Sequence, residues 1–436
     1  MDQHDETVVG PRWVDVSPLQ CFPPTLLAAS SRLAEVNASA YAATRNALNG
    51  AVTRMSPYIT HGFVSLPQVL ARVAERDTLD VQHKLVFVLG WREYFHHVWH
   101  HLGERIFESI HPGPLPDAAY ARELPADVRH ARTGVPVIDE AVRTLYATGY
   151  LHNHARLWLA SYVVHLRKVH WRAGADWLVA HLLDGDLASN HLSWQWVAGT
   201  GSTKPYLFNA DNVARYAPPA WHSAATVLDT TYDALAQIAC DPRSVDGGAN
   251  ELGVEEPGLW AQPPDVGGLN PCRPEPLSAD LQLKGRTVWL VHPWALGEPP
   301  SDLPADTVRV GWWPSDHHHR WLWRGARWQF VAQRMAELTG VSCHTDQAGL
   351  IELLRNARSV QTLANPHVAP CLPPGVVQRQ PPHLFAPVDR LCQSFSAWWR
   401  QATHGARRLE DLPGFAQYMA QHSATEQLFD GTGEVS

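Results

Sequence analysis

Helical periodicity is the feature that most constrains this chain, because it recurs in successive segments from about residue 24 to residue 215. Apolar residues in these segments are spaced three and four apart, which places them on one face of a helix. The segments are LLAASSRLAEV, LPQVLARVAER, KLVFVLGWREYFHHVWHHLGERIF, VIDEAVRTLYATG, HARLWLASYVVHLRKVH and GADWLVAHLLDGDLASNHLSWQWVAG. Strand-like alternation is hard to find over the same range. The sequence therefore predicts an all-α domain over residues 1–225.

The sequence pattern changes after this domain. Residues 226–282 are rich in proline and glycine and predict a linker or wrapping loop. Beyond residue 283, strand-like RTVWLVHPW, TVRVGWW, VSCHT and SVQTLAN alternate with helix-like RGARWQFVAQRMAEL and QAGLIELLRNA. This alternation predicts a smaller α/β domain with a parallel core over residues 283–436. The DHHHR segment (316–320) is expected to be a loop with weak, adventitious metal affinity.

Composition narrows the class of protein. A length of 436 residues allows two domains. The six cysteines form no CxxC pair, which argues against an iron–sulfur cluster or a Cys-type zinc site. The acidic N-terminus lacks an apolar core, and no later run approaches the roughly 18 apolar residues that a membrane span needs. We therefore expect a cytoplasmic protein that makes no membrane contact, and we expect a monomer.

Net charge and tryptophan content give separate indications about the partner of this chain. A formal charge of −8 discourages a nucleic-acid partner. The first 225 residues nevertheless carry 19 basic against 20 acidic residues, so a local basic groove is compatible with the sequence. The chain also has 19 tryptophans, and a buried indole needs a partner for its N–H. Such an excess indicates either large cores or a use for indoles.

One polar and aromatic stripe stands out in the stretch DGDLASNHLSWQWVAGTG, which begins at Asp184. If residues 187–197 are helical, Asp186, Asn190 and Trp194 lie four apart along one face. An ordinary buried face would be aliphatic. The stripe therefore predicts a binding surface for a flat ligand with hydrogen-bonding groups along one edge.

Four stretches of the helical half, taken together, resemble the flavin-binding domain of the photolyase/cryptochrome family. They are TRMSPYITHG (53–62), WREYF (91–95), TGVPVIDEAVRTLYATGYLHNHARLWLAS (133–161) and WRAGADWLVAHLLDGDLASNHLSWQWVAGTG (171–201). Their order and spacing match over nearly 200 residues. The resemblance implies an all-α domain that binds FAD in a folded, U-shaped conformation. The fold class expected for the whole chain is thus multi-domain, an all-α photolyase-type FAD-binding domain followed by a smaller α/β domain.

The resemblance also implies which residues contact FAD. The phosphates and ribityl chain would meet Tyr41, Arg45, Thr53, Met55 and Ser56; the pocket lining and the polar edge of the ring would meet Arg92, Arg156, Asp184, Asp186 and Asn190. Among these, Asn190 matches the residue that faces flavin N5, where an amide can donate or accept a hydrogen bond. Ordinary structural roles stay open, because Ser56 could be a helix N-cap, the arginines could form plain ion pairs, and the two acids could cap a helix.

The resemblance also implies that two tryptophans transfer electrons to the flavin. Trp194 matches the indole nearest the flavin, and Trp171 matches the next one in the chain of electron donors used by the family. The third, distal tryptophan has no counterpart in residues 117–131, where Tyr120 is a substitute. Photoreduction by another route, or poor photoreduction, is compatible with this difference.

The substrate pocket matches the family only in part. Trp91 and Trp196 match the aromatic walls that stack on an extruded pyrimidine dimer, and Asn153 matches a polar contact there. Val88 stands where the family has a glutamate, and Leu157 stands where it has a methionine. Loss of that carboxylate removes a hydrogen bond to the thymine edge worth about 1–3 kcal/mol.

Repair and sensing are both compatible with the sequence. The main hypothesis is a blue-light-dependent, photolyase-like flavoprotein that repairs pyrimidine dimers in UV-damaged DNA. The alternative is a cryptochrome-type light sensor that acts on a signalling partner, and a third hypothesis is a flavin-binding scaffold without photochemistry. In the family an α/β domain usually precedes the flavin domain, whereas here it would follow it. The resemblance therefore does not imply that this chain binds the antenna pigment of the family.

Other functional classes have weaker signals. The pairs His97/His101 and His96/His100 have a helical spacing that can bind zinc, but no third ligand follows, so solvated or hydrogen-bonded histidines are favoured and no metal site is predicted. Neither a GxGxxG nor a Walker motif is present, which disfavours an NAD- or ATP-dependent enzyme.

Overall fold

Residues 17–246, 253–264 and 283–430 are described by the structure, a computed structural model of the chain. The first part is helical, as predicted, and α9 continues into a π-helical turn at Tyr162–Leu166. Its helices are α1 (Pro18–Cys21), α2 (Leu26–Ala34), α3 (Ala38–Thr44), α4 (Ser56–Thr60), α5 (Leu66–Ala74), α6 (Lys84–Leu102), α7 (Ala126–Arg129), α8 (Pro136–Thr148), α9 (Asn153–Ser161), α10 (Trp171–His181), α11 (Leu187–Ala198), α12 (Ala210–Tyr216) and α13 (Tyr232–Cys240).

Short polar residues begin about half of these helices, and glycines end several of them. Asp186 caps α11 by accepting the Ser189 N–H through Oδ1 at 2.8 Å. Gly149 and Gly199 follow α8 and α11 with φ of 65° and 77°, a left-handed conformation that glycine adopts without strain. The bounds of α11 thus follow from a capping carboxylate and a terminal glycine, and they fix the orientation of the stripe between them.

The C-terminal part contains a parallel five-stranded sheet, as the strand–helix alternation predicts. Its strands lie in the order β5–β3–β2–β6–β7, a doubly wound arrangement, and β1 pairs with β4 in a separate antiparallel ribbon. The strands are β1 (Leu259–Trp260), β2 (Thr287–Val291), β3 (Val308–Pro314), β4 (Trp323–Arg324), β5 (Val341–Thr345), β6 (Ser359–Leu363) and β7 (Val377–Arg379). The helices are α14 (Ser315–Arg320), α15 (Gly325–Leu338), α16 (Gln347–Leu354), α17 (Phe395–Ala402) and α18 (Pro413–Asp430).

The carboxyl edge of this sheet packs against the helical part. The ring nitrogens of His61, just after α4, lie 2.9 Å from the Leu183 carbonyl oxygen and 2.6 Å from that of Pro293, which follows β2. Arg327 of α15 donates to the Gly185 carbonyl oxygen at 2.6 Å. One hydrophobic core contains residues of both parts, whereas a second lies within residues 124–235. The segment 183–186, which holds the two acids of the stripe, is therefore fixed from both sides.

Two stretches differ from the sequence-based expectation or extend it. The DHHHR segment is not a loop: it lies in α14, where His317 and His318 are buried against the rings of Trp294 and Trp323. Within the predicted linker, the described residues include α13 and β1, and Leu235 of α13 is fully buried. The domain boundaries at 225 and 283 stay a prediction.

The described residues contain neither a membrane-spanning helix nor a metal-binding cluster. Within residues 17–246, 253–264 and 283–430, no helix is both long and apolar enough to cross a membrane. Over the same ranges, no three His, Cys, Asp or Glu side chains are arranged to hold a metal ion.

Candidate functional site

A cavity of about 220 Å³ lies among α6, α9, α10 and α11. The residues predicted to bind the cofactor or the substrate that line it are Ser56, Trp91, Arg92, Asn153, Arg156, Leu157, Asp184, Asp186, Asn190 and Trp194. They come from segments up to 138 positions apart, as Ser56 and Trp194 are.

Asp184 and Arg156 form the inner ion pair of the cavity. Arg156 Nη2 donates to both carboxylate oxygens of Asp184, at 3.0 and 2.8 Å, while Nε donates to the Leu151 carbonyl oxygen at 2.8 Å. The Asp184 side chain is 3% exposed. A buried carboxylate is tolerated when a charged, hydrogen-bonded partner compensates its lost hydration. The pair therefore fixes one charged wall of the cavity before any ligand binds.

Asp186 lies beside this pair as an anion. Its Oδ2 accepts a hydrogen bond from His96 Nε2 at 2.9 Å, and His367 Nε2 lies 3.8 Å from the same oxygen. Burial raises the pKa of Asp186, but the charge and hydrogen bond of His96, together with the charge of Arg92, outweigh burial and hold that pKa well below its usual range. His96, one of the histidines whose spacing could bind zinc, is thus hydrogen-bonded to a carboxylate.

Asn190 and Ser189 supply polar groups to the cavity. Asn190 Nδ2 donates to the Ala175 carbonyl oxygen at 2.8 Å, which leaves its carbonyl oxygen and second N–H for other partners. Ser189 Oγ is buried and has no hydrogen-bond partner among the described residues. An unpaired buried hydroxyl costs free energy. A polar ligand group would satisfy Ser189, and this observation fits the flat, polar-edged ligand that the stripe predicts.

The two predicted electron-transfer tryptophans are both buried, each 2% exposed. The Trp194 ring lines the cavity and packs on Gly174 of α10, where a Cβ atom would lie 2.3 Å from the ring. Trp171 lies outside the cavity lining, and its Nε1 donates to Ser109 Oγ at 2.9 Å. Tyr120 contacts the His170 ring at 6.2 Å between centroids. The positions of Trp194 and Trp171 are thus compatible with their predicted roles in electron transfer, and these roles stay predictions.

Among the residues predicted for the phosphate side, Ser56 alone lines the cavity. Tyr41 is buried, and burial raises its pKa to about 12 although Arg45 lowers it. The Met55 side chain is 1% exposed and belongs to the hydrophobic core, so a contact from Met55 would come through its backbone. Thr53 Oγ1 accepts the Met55 N–H at 3.4 Å.

The predicted substrate residues divide into two groups. Trp91, Asn153 and Leu157 line the cavity together with Val88, which is 41% exposed. Trp196 does not line it: this indole is 40% exposed and its ring centroid lies 5.6 Å from that of Tyr206. The expected pair of aromatic walls is therefore represented in the cavity by Trp91.

Sequence reasoning missed several lining residues, among them Phe95, Ser189 and Ser193. A signal for the serines exists, because Ser189 and Ser193 continue the helical spacing of the stripe on α11 at i+3 and i+7 from Asp186. Phe95 has no such signal, because an aromatic residue on an amphipathic helix can be explained equally well as part of the hydrophobic core.

The helices that form this site are similar to known proteins. Residues 85–221 match the family model described as the FAD binding domain of DNA photolyase. A deoxyribodipyrimidine photo-lyase of Streptomyces griseus is 37% identical over 168 residues, which cover 36% of this chain and 34% of that protein. A cryptochrome DASH of Idiomarina loihiensis is 33% identical over 175 residues, 38% of each chain. The helical region is thus similar to the FAD binding domain of DNA photolyase over residues 85–221.

The likeness to photolyases and cryptochromes is confined to part of the molecule. The chain spans little more than a third of the length of these two curated relatives. A solved structure of a Synechocystis sp. PCC6803 cryptochrome aligns with 44% of this chain and 43% of its own at 26% identity, with a TM-score of 0.38. The predicted family and FAD as the predicted cofactor are confirmed by the family model. The roles of individual site residues stay predictions.

Proposed function

We propose that this protein is a light-dependent DNA repair flavoprotein of the photolyase type. One observation carries the proposal: a single cavity joins the buried acids Asp184 and Asp186, the amide of Asn190 and the indoles of Trp194 and Trp91. The photolyase relatives at up to 37% identity support it. UV-damaged DNA would then be the partner of the chain.

The proposed roles of the residues follow from their positions. Asn190 and Ser189 would hydrogen-bond the polar edge of the flavin, while Arg156 and Asp184 keep a fixed charged wall beside it. Trp91 would stack on a pyrimidine dimer flipped out of the duplex, in a site that also contains Asn153 and Leu157. Bound FAD supplies the light-driven one-electron chemistry. Splitting of the dimer would use one electron that is lent by the bound flavin and then returned to it, so that the two bonds between the pyrimidines would break without net redox change.

The role of the protein would be to position, to stack and to exclude water. Trp194 and Trp171 are buried indoles that would supply an electron when the cofactor needs reduction. The anionic Asp186 beside its His96 partner would hold a charge at a fixed place near the ligand, where it costs no reorganisation during the reaction.

The decisive experiment illuminates the purified, flavin-loaded protein with a duplex that carries one cyclobutane pyrimidine dimer. A second duplex carries a (6-4) lesion, and dark samples are the control. Loss of a lesion in light only supports the proposal and identifies the lesion class. If neither lesion is lost under light that reduces the flavin, the repair function is wrong.

Two matched variants sharpen this experiment. Trp91 lines the cavity and Trp196 does not, although both were predicted as aromatic walls. We expect Trp91→Ala to lower repair by about tenfold or more, since stacking on an aromatic ring is worth about 1–3 kcal/mol per base. Trp196→Ala is expected to have a smaller effect. Equal losses of repair in the two variants would indicate that Trp196 is a second aromatic wall of the substrate pocket.

A light-sensing function is the second candidate, and Val88 is the observation that favours it. The cavity has an exposed apolar side chain at the position where the family resemblance leads us to expect a carboxylate. Cryptochrome DASH relatives match the chain about as well as photolyases do. Flavin photoreduction without loss of either lesion, together with light-dependent exposure of a protease-sensitive surface, would support this second function.

A further inference from the structure

The indole of Trp91 is covered on one face by a residue of the C-terminal part. The ring of Phe395, at the start of α17, lies parallel to it, with 4.1 Å between the ring centroids and 6° between the planes. The two residues are 304 positions apart in the chain. Phe395 itself is 4% exposed. This is a built contact in the core, and it lies next to the cavity.

Helix α17 is held against the face of α6 that adjoins the cavity-lining face. A Cβ atom at Gly90 would lie 2.5 Å from the Trp399 ring, so α17 approaches the backbone of α6 closely there. The Phe87 ring contacts Phe395 edge-on at 4.6 Å and Trp399 at 5.2 Å. Phe395 is thus fixed by neighbours on both helices.

Trp91 lies where the two faces of α6 meet. Val88, Arg92 and Phe95 on one side line the cavity, and Phe87 and Gly90 on the other side face α17. Trp91 belongs to both sets, since it lines the cavity and stacks on Phe395. An indole has two flat faces, and Phe395 covers one of them.

We propose that Phe395 is a positioning residue of the base-stacking site, which holds the Trp91 indole so that its other face is presented to an extruded base. This inference rests on the proposed function. The C-terminal part would thereby support, from behind Trp91, a site whose described lining residues all lie within residues 56–197. A base entering the cavity would extend a parallel stack that Phe395 and Trp91 begin.

Preorganisation explains why such a backing ring would matter. A free tryptophan side chain has several rotamers, and fixing it on binding costs side-chain entropy. With Phe395 in place, that cost is met during folding rather than during binding. Removing the ring should therefore weaken binding of lesion-bearing DNA more than binding of undamaged DNA, which does not use the cavity.

The test is a double-mutant cycle between Phe395 and Trp91 in the flavin-loaded full chain. The variants are Phe395→Leu, Phe395→Met, Trp91→Ala and Trp91→Ala combined with Phe395→Leu. Methionine is similar in volume to leucine, but its flexible side chain can fill the space differently if leucine leaves a cavity. Ser396→Ala, an exposed neighbour on α17, is the control. Dissociation constants are measured in the dark for a duplex with one cyclobutane dimer and for the same duplex undamaged, with flavin content and thermal midpoint as folding checks.

We expect Phe395→Leu and Phe395→Met to bind the lesion duplex about tenfold more weakly, with unchanged affinity for the undamaged duplex. The Phe395→Leu effect should vanish in the Trp91→Ala background. Wild-type affinity of both folded Phe395 variants, or a loss of the same size with and without Trp91, overturns the inference alone. Equal wild-type affinity for the two duplexes overturns the proposed function and this inference with it.

Discussion

At the residue scale, Gly174 decides where the Trp194 indole can lie. A Cβ atom there would be 2.3 Å from the ring, closer than any ordinary contact. Gly→Ala inside a helix normally stabilises by about 0.5–1 kcal/mol, but overpacking a core costs about 1–3 kcal/mol. We expect Gly174→Ala to lower the free energy of unfolding and to reduce the flavin-to-protein ratio, both measured on purified protein. Gly340→Ala is the control, because a Cβ there meets nothing within 4 Å.

Val88 offers the second residue-scale prediction. It lines the cavity one helical turn before Arg92, and its side chain is 41% exposed. Val88→Glu would place a carboxylate acceptor at the cavity, and a hydrogen bond to a charged group contributes about 1.5–3 kcal/mol. We expect cyclobutane dimer repair to become about tenfold faster at subsaturating DNA, with Val88→Gln intermediate. Unchanged or slower repair by Val88→Glu would contradict the place given to Val88 beside the bound lesion.

At the element scale, the start of α11 depends on a residue from the other part of the chain. His367, four residues after β6, accepts the Leu187 N–H through Nε2 at 3.2 Å and is hydrogen-bonded through Nδ1 to Asn365 Oδ1 at 2.8 Å. Its ring stacks on Trp294, with 4.5 Å between centroids. Burial lowers the pKa of His367 well below its usual range, so the ring is neutral and its Nε2 is an acceptor.

Replacement of His367 by phenylalanine separates stacking from hydrogen bonding. His367→Phe keeps a flat ring against Trp294 but leaves the buried Leu187 N–H without an acceptor, at a cost of about 1–3 kcal/mol. We expect a lower free energy of unfolding in urea and faster hydrogen exchange of the first amides of α11. The exposed His404→Phe is the control. Native-like exchange of the Leu187 amide in His367→Phe would show that the cap of α11 does not need this histidine.

The elements were predicted better from the sequence than the contacts between them. Helical spacing and strand–helix alternation are local patterns, and they predicted α6, α8, α11, the parallel sheet and α15. The DHHHR segment was predicted wrongly because histidine favours no regular structure strongly, and the burial of His317 and His318 among tryptophans decides its conformation. The stacking of Phe395 on Trp91 could not be predicted, because no spacing rule connects residues so far apart in the chain.

At the scale of the whole molecule, Glu93 of α6 links the two parts. Its Oε1 accepts the Leu384 N–H at 2.5 Å and its Oε2 accepts the Phe385 N–H at 3.3 Å, which holds the segment between β7 and α17 against the helical part. Burial raises the pKa of Glu93 to about 7, although these two backbone N–H groups lower it. The folded protein therefore binds a proton that the unfolded chain, with an ordinary glutamate pKa of about 4.3, has released near neutrality.

This difference predicts the direction of a pH effect. Between the two pKa values the folded state holds more protons, so the contribution of Glu93 to stability falls as pH rises from about 4.3 to about 7. Glu93→Gln cannot titrate. Urea unfolding at pH 5 and pH 8 should therefore give a stability difference, wild type minus Glu93→Gln, that is larger at pH 5 by up to about 3 kcal/mol. The exposed Ser396→Ala, which changes no titratable group, should give the same difference at both pH values. A Glu93→Gln difference that is the same at pH 5 and pH 8 would mean that the carboxylate is ionised at both values and that its two backbone hydrogen bonds outweigh its burial.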